Sequence, residues 1–376
     1  MIKVAIMGDI CLQHEALIER SWQGQTDIDD TVKEFVQGID FSIATLECPL
    51  FGNERTRRDK LALHASPRTI QFLKSLKVRA VTLANNHIAD YGNKCGLATV
   101  KLLEEKGIKW FGVGYVDREG NPAILERGGI SFACLGYSDF PCDAVFSSPE
   151  TFGSARYSRA SAEPLIVDLK RKVDHVLVFM HWGMEDVNYP VPENIKTAHE
   201  IIDLGADAII GSHAHVYQGC EIYKDKYVLY NLGNLIFGDI VAVRASGSAL
   251  FTRIQSLRNR IGLVPVFSID ENGIGLDEVR FVHFRKDNAI VMLAGLKAAL
   301  NSFYYDRISA QLKARLSNPD DYEGWWNRNV KKFVFFNLVE RAITRRTLFR
   351  PGIRHLKIFQ RVSQQEVKRL ETGQWK

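Results

Sequence analysis

The sequence predicts an α/β fold that carries a helical extension at its C-terminal end. Three observations predict it. Along the first 240 residues, short β-branched runs alternate with segments of helical periodicity, the signature of βαβ units. From Ser248 to Phe284 the runs are broken by turn signals such as Glu271-Asn272-Gly273, and beyond Asn288 the pattern becomes helical. At 376 residues, with 46% hydrophobic, 10% aromatic and 25% charged residues, the chain is long enough for one large domain with an extension. That composition excludes a disordered or fibrous protein.

Taken in order, strands are expected at Lys3–Met7, Phe41–Leu46, Arg79–Leu83, Lys109–Val113, Ile130–Gly136, His175–Met180, Ala208–Ile210 and Tyr227–Tyr230, each a short apolar run. Helices are expected between them at Pro67–Leu76, Leu97–Lys106 and Asn194–Leu204. The last has Ile195, Ala198, Ile201 and Ile202 at helical spacing. Runs Ala249–Ile254 and Val279–Phe284 read as antiparallel strands that close a second sheet. Helices near Ala289–Asn301, Asp306–Leu316, Trp325–Arg346 and Gly352–Leu370, punctuated by Pro319 and Pro351, make up the extension. A domain over residues 1–287 and an extension over 288–376 follow, with Trp325, Trp326, Phe333, Phe335 and Phe336 expected to anchor the extension on the core.

The net charge of +5 is unevenly spread. Residues 341–376 hold ten Lys and Arg against two acidic residues, so +8 falls on the tail and about −3 on the rest. A basic tail suits anionic partners, and Leu348, Phe349, Ile353, Leu356, Ile358, Phe359 and Val362 interleaved with Arg350, Arg354, Lys357 and Arg361 suggest a helix that lies on an anionic membrane surface. The competing expectation is a helix that packs its apolar residues on the core. No specific nucleic-acid binding is expected. No apolar run approaches the ~20 residues of a membrane span and no secretory signal is read, so a cytoplasmic protein, peripheral at the inner face of the membrane, is expected. The six scattered cysteines contain no C-x-x-C pair and suggest neither a disulfide framework nor a thiolate zinc site.

Clusters of polar, ligand-type residues recur directly after strand runs. Asp9 follows the first, Glu47 the second, Asn85-Asn86-His87 the third, His181 the sixth and Ser212-His213-Ala214-His215 the seventh. In an open α/β sheet ligands bind beyond the carboxyl ends of the strands, so these five clusters can meet at one site. Two carboxylates, one amide oxygen and four imidazoles are mixed O and N donors that suit Mn, Fe, Co or Zn, and they exceed what one four-ligand ion uses. Two adjacent divalent metal ions and metal-assisted hydrolysis are the expectation.

These residues, within Gly8-Asp9, Leu46-Glu47-Cys48-Pro49-Leu50, Asn85-Asn86-His87-x-x-Asp90-x-Gly92, His181-Trp182-Gly183-x-Glu185, Gly211-x-His213-x-His215-Val216 and Asn231-Leu232-Gly233-Asn234, resemble the CapA family of capsule and poly-γ-glutamate synthesis proteins over roughly residues 1–240. The resemblance implies a calcineurin-like metallophosphatase sandwich of two β-sheets flanked by helices, and a role around an anionic surface polymer in bacteria. It also implies roles for the residues. Asp9 would bind the first metal, Glu47 would bridge both, Asn86 and His181 would bind the second, and His213 and His215 would divide between them. His87 would act as general acid. Asp90 and Glu185 would orient imidazoles. Two departures stand out. Cys11 takes the place of a histidine common in metallophosphatases, as a thiolate ligand or a buried thiol, and Ala214 replaces a proline between the two histidines.

Arg55-Thr56-Arg57-Arg58-Asp59-Lys60 follows Glu47 by eight residues, and Arg55, Arg57 and Arg58 are expected to meet a phosphorylated substrate or anionic polymer. Asn231 and Asn234 are expected either to hydrogen-bond substrate or to pin the metal loop. His14, His64, His175, His199, His283 and His355 fall outside the clusters and read as structural. The function expected is a dinuclear metal-dependent hydrolase of the phosphoesterase type. The alternatives are a non-catalytic metal-binding accessory protein of an envelope-polymer assembly, or a membrane-surface scaffold.

Overall fold

A computed structural model describes residues 1–12, 28–52, 61–116, 121–139, 142–243 and 249–344. The chain runs through strand β1 (Ile2–Cys11), helix α1 (Asp30–Gln37), β2 (Phe41–Leu46), α2 (Thr69–Ser75), β3 (Val78–Thr82), α3 (Gly92–Glu105), β4 (Lys109–Phe111) and β5 (Val113–Gly114). It continues with β6 (Ala123–Arg127), β7 (Ile130–Ser138), β8 (Gly153–Ser154), α4 (Arg159–Leu169), β9 (His175–His181), α5 (Pro192–Asp203) and β10 (Ala208–Ser212). Then come β11 (Cys220–Tyr223), β12 (Lys226–Leu229), β13 (Asn234–Phe237), β14 (Ile240–Val243), β15 (Ala249–Arg253), β16 (Ile261–Asp270), β17 (Gly273–Phe284) and β18 (Ile290–Met292). Helices α6 (Gly295–Leu316) and α7 (Pro319–Thr344) close the described chain. Among the described residues no helix is long and apolar enough to cross a membrane.

Two mixed sheets stack face to face between helices, the fold class the sequence predicts. The first has the order β18-β17-β16-β1-β2-β3-β4, parallel from β1 to β4, with β13 joining β1 beyond the end of β16. The second has the order β11-β12-β10-β9-β7-β6, with a parallel centre and antiparallel edges. Every residue of β1 but Lys3 is buried, because both faces are covered. Val4 and Ile6 point between the sheets, where Phe41 stacks on Phe132 at 6.0 Å and Phe111 meets Phe179 edge-on at 5.1 Å. Ala5 and Met7 point the other way, toward α1, α2 and α3. The second sheet's outer face is covered by α4, α5 and α7 through Ile166, Ile201 and Trp326.

Several expectations need correction. The strands after residue 248 pair antiparallel as expected, yet they do not close the second sheet: β15 pairs with β14 in a two-stranded ribbon, and β17 extends the first sheet from β1 through β16. Alternating apolar residues identify a strand but do not say which free edge it will join. The segment expected to be helical from Ala289 begins as strand β18, and one continuous helix spans Gly295–Leu316 where two were expected. Trp326 is buried, and Trp325 and Phe333 pack on Tyr189, whereas Phe335 and Phe336 stand exposed among the described residues rather than packed on the core. The helix expected at Gly352–Leu370 lies outside the described residues, as does nearly all of the basic tail.

Asp207 ties the starts of three strands of the second sheet together. Its carboxylate accepts from Lys170 Nζ at 2.6 Å, from the Val176 amide at 2.9 Å and from Lys226 Nζ at 2.9 Å. Burial pushes this carboxyl up, but Lys170, Lys226 and the Val176 amide outweigh burial and hold it below the usual carboxylate range. A depressed carboxyl stabilises the fold above its unfolded value near ~3.9 and loses that contribution as pH falls through the folded value. Replacing Asp207 with Asn should therefore lower the unfolding free energy by about 1–3 kcal/mol at pH 7. In denaturant titrations the gap should narrow in acid below about pH 4; a gap of equal size at both pH values would show that the charge contributes nothing.

Candidate metal centre

Each strand-end cluster reaches the site because its backbone is locally constrained. β1 bulges on both sides of Asp9, against β2 between Met7 and Asp9 and against β13 between Asp9 and Ile10, and such bulges re-aim a side chain. The residue before it must be glycine, since a Cβ on Gly8 would fall 1.9 Å from the carbonyl oxygen of Gly233. Glu47 lies one residue past β2 and donates its amide to Ile10 O at 3.0 Å. Asn85 pins the next turn: its Oδ1 accepts the amides of His87 and Ile88, and its Nδ2 donates to Leu46 O at 2.8 Å. His181 ends β9, and the His213-Ala214-His215 turn follows β10. Gly211 in β10 is as constrained as Gly8, because a Cβ there would lie 1.8 Å from Tyr230 O.

The side chains converge. A ligating atom from each of Asp9, Glu47 and His215 lies within 4.8 Å of the other two, and the same holds for His181, His213 and Cys142. Glu47 stands between the groups, with Oε1 3.5 Å from His215 Nε2 and 3.9 Å from His181 Nε2. Asn86 Oδ1 is 3.0 Å from His181 Nε2. Two donors at right angles on one ion with ~2.1 Å bonds are ~3.0 Å apart, so the Asn86–His181 spacing fits a shared cation. Asp9 and Glu47 are fully buried, while Asn86 and His87 each keep 8% exposure and mark the open side.

Hydrogen bonds fix which nitrogen of each imidazole faces inward. His215 Nδ1 donates to Asn234 Oδ1 at 2.9 Å, leaving Nε2 toward Glu47. Ser212 Oγ lies 2.9 Å from His181 Nδ1 and 3.4 Å from Met180 O, which leaves His181 Nε2 toward Asn86 Oδ1. A ligating histidine commonly has its other nitrogen held in this way. His87 Nδ1 is 2.6 Å from Asp90 Oδ2, which also accepts the Leu63 amide at 2.8 Å, and His87 Nε2 is 3.3 Å from Asn86 Nδ2. The turn itself is strained. His213 and His215 adopt φ of 93° and 57°, a region that costs side-chain-bearing residues ~1–3 kcal/mol each. It is held by Asp9 Oδ2, which accepts the His213 amide at 3.1 Å, and by the Asp186 amide, which donates to Ala214 O at 2.8 Å.

The donor set fits divalent cations. Asp9 Oδ1 is buried and makes no hydrogen bond among the described residues. Burial pushes the Asp9 carboxyl up to about 7, with only the His213 amide pulling it back. A cation between Asp9, Glu47 and His215, and another between Asn86, His181 and His213, would satisfy these groups, with Glu47 shared.

The other expected residues are placed as follows. Cys11 sits in the core with its sulfur 3.3 Å from that of Cys48. Burial, then Cys48, pushes its thiol well above the ordinary range, and its sulfur is not among the atoms grouped with Asp9, Glu47 and His215. Asn231 Oδ1 accepts the Gly233 amide at 3.0 Å and shapes its own turn. Asn234 has both ends engaged, since Nδ2 donates to Asn259 O at 2.8 Å while Oδ1 holds His215. Arg55, Arg57 and Arg58 lie outside the described residues. Beside Glu185, Asp186 supports the turn, since its Oδ1 accepts from Asn259 Nδ2 at 2.6 Å while its amide holds Ala214. Ser212, Asp186 and Asn259 are supporting residues that the sequence reading missed; only Ser212 carried a signal, its place between a strand end and His213.

Because Asn234 touches His215 rather than the open side, Asn234→Ala should weaken metal binding by about 10–100-fold, the usual consequence of losing a ligand's hydrogen-bond partner. Metal titration followed by calorimetry checks this; unchanged metal affinity with a raised KM would return Asn234 to the substrate.

Comparison with known proteins places this geometry in context. Residues 3–239 match the family model described as bacterial capsule synthesis protein PGA_cap. The chain is 27% identical over 261 residues to the capsule biosynthesis protein CapA of Bacillus anthracis, covering 66% of this chain and 62% of that protein. It is 26% identical over 274 residues to the PGA biosynthesis protein CapA of Bacillus subtilis, covering 72% of each. The first match thus spans about six tenths of its relative's length. Among solved structures, a 5'-nucleotidase precursor from Thermus thermophilus aligns with a TM-score of 0.40 and 16% identity over 84% of this chain and 59% of that one. With the family model matched over well more than half of its length, the chain belongs to the bacterial capsule synthesis protein family PGA_cap.

Proposed function

We propose that the chain is a dinuclear metal-dependent hydrolase that cleaves a phosphoester or related bond in an anionic surface polymer or its precursor. The observation that carries this reading is the Glu47 carboxylate standing between two ligand groups, 3.5 Å from His215 Nε2 and 3.9 Å from His181 Nε2. A pair of divalent cations, of Mn, Fe or Zn, would supply Lewis acidity to a substrate oxygen and lower the pKa of water. Asp9, Glu47 and His215 would hold one and Asn86, His181 and His213 the other. His87 lies at the open side with Nδ1 fixed by Asp90, so a proton passed to a leaving oxygen would sit on Nε2. Arg55, Arg57 and Arg58 would meet the negative charge of the substrate, and the basic residues beyond 340 would bring the protein to an anionic membrane surface.

Cys11, a core thiol where metallophosphatases commonly carry an imidazole, favours a second reading in which the centre binds metal but turns nothing over and the protein serves as an accessory of polymer assembly. One experiment separates the two. Purified protein is analysed for metal and assayed with Mn²⁺ against phosphomonoesters, phosphodiesters and polymer fragments. His87→Asn should keep the metal and lose turnover by roughly 10²–10⁴-fold, the range for a general acid. Metal bound without turnover on any substrate would favour the accessory, and equal loss of metal in His87→Asn would make His87 a ligand.

A further inference from the structure

The group of His181 and His213 contains a third donor, and it comes from a strand end the five clusters do not include. β7 runs parallel to β9 with Ser138 in register with His181. The chain leaving β7 is tied to that histidine's own backbone, because the Asp139 amide donates to His181 O at 3.1 Å. A second bond, from the Cys142 amide to Asp139 O at 3.1 Å, turns it back. The turn brings the Cys142 sulfur to the imidazoles, so that ligating atoms of Cys142, His181 and His213 all lie within 4.8 Å of one another. Two donors of one ion with bonds near ~2.1 and ~2.3 Å can be at most ~4.4 Å apart, so a contraction of less than ~1 Å brings all three onto one cation.

We propose that Cys142 is a thiolate ligand of the cation position formed by Asn86, His181 and His213, and that it biases this position toward a softer ion such as zinc over manganese or magnesium. The inference rests on the centre binding cations, not on hydrolysis. Charge argues for it. The Asp9 position has one carboxylate of its own and shares Glu47, whereas the other position has only neutral donors and its share of Glu47. A thiolate would give each position one negative ligand of its own, which favours holding a divalent ion in a buried site. On binding, the sulfur–metal bond replaces the S–H bond and the proton leaves to solvent. Softness then sets the preference, since thiolate selects zinc while oxygen donors suit manganese and magnesium.

The test uses the full chain loaded with Co²⁺. A thiolate-to-cobalt charge-transfer band in the near ultraviolet is expected; it should vanish in Cys142→Ser, with cobalt still bound, and persist in Cys220→Ser. Zinc competition should show the Cys142→Ser change weakening zinc more than manganese. Should Cys142→Ser fail to fold, iodoacetamide labelling of the unchanged protein, mapped by mass spectrometry, replaces it: zinc should protect Cys142 but not Cys220. Cobalt bound without the band, or Cys142 labelled equally with and without zinc, overturns the thiolate ligand alone. Absence of bound cobalt overturns the metal centre and this inference with it.

Discussion

The site depends on four residues that carry the chain from one sheet to the other. β12 belongs to the second sheet and ends at Leu229; β13 belongs to the first and begins at Asn234, so residues 230–233 form the seam. Tyr230 O lies against Gly211 in β10, and Gly233 O lies against Gly8 in β1 and accepts the Asp9 amide at 3.1 Å. The Leu232 amide donates to Gly211 O at 3.0 Å. Two strands from different sheets therefore approach the same short segment so closely that neither can carry a Cβ at the contact. Asp9 follows one of those glycines directly, and His213 follows the other by two residues. The distance between the two halves of the centre is set by the seam rather than by the sheets' general packing.

Such a site is unfavourable until something neutralises it. Two carboxylates are fully buried, and desolvating an ion costs several kcal/mol even after the protein relaxes. The hydrogen bond from the His213 amide offsets little of this at Asp9, which is why its carboxyl is pushed so far up. Left-handed backbone at His213 and His215 adds strain that the surrounding bonds must hold. The imidazoles do not remove the charge while neutral, and Asn234 presents the inward nitrogen of His215 to Glu47 as an acceptor rather than a donor. Acceptors facing acceptors around a buried point are the arrangement a cation resolves.

Much of this was legible because it obeys a local rule. A ligand-type residue placed directly after an apolar run can be read from the chain, and the side chains of Asp9, Glu47, Asn86, His181, His213 and His215 come together in the structure. What the sequence hides is partnership between distant segments. Nothing in Ile261–Asp270 says that it will pair with β1 rather than join the second sheet, since a continuous apolar run suits a central place in either. The edge strands β6 and β11 are short and half polar, and went unread. Cys142 lies four residues past its strand, beyond the reach of a rule that looks only at the next position. Phe335 and Phe336 show the opposite error, since aromatic content alone does not tell a core contact from an exposed one.

The helices beyond residue 294 are tied to the site as well as to the core. Tyr322 of α7 donates its hydroxyl to Pro190 O at 2.6 Å, and Trp326 is buried on the outer face of the second sheet. Further along, Asn337 Oδ1 accepts from Arg258 Nη2 at 3.1 Å, and Arg258 Nη1 donates to Asn188 Oδ1 at 2.5 Å and to Asp186 O at 3.4 Å. Asp186 holds Ala214 between the two histidines. A short run of hydrogen bonds therefore leads from the last described helix to the strained turn of the candidate metal centre. Loosening α7 would relax Arg258 first and then Asp186, and the backbone it steadies is the one whose left-handed geometry aims His213 and His215. The helical extension is on this account part of what keeps these side chains in place, even though none of its described residues reaches the site.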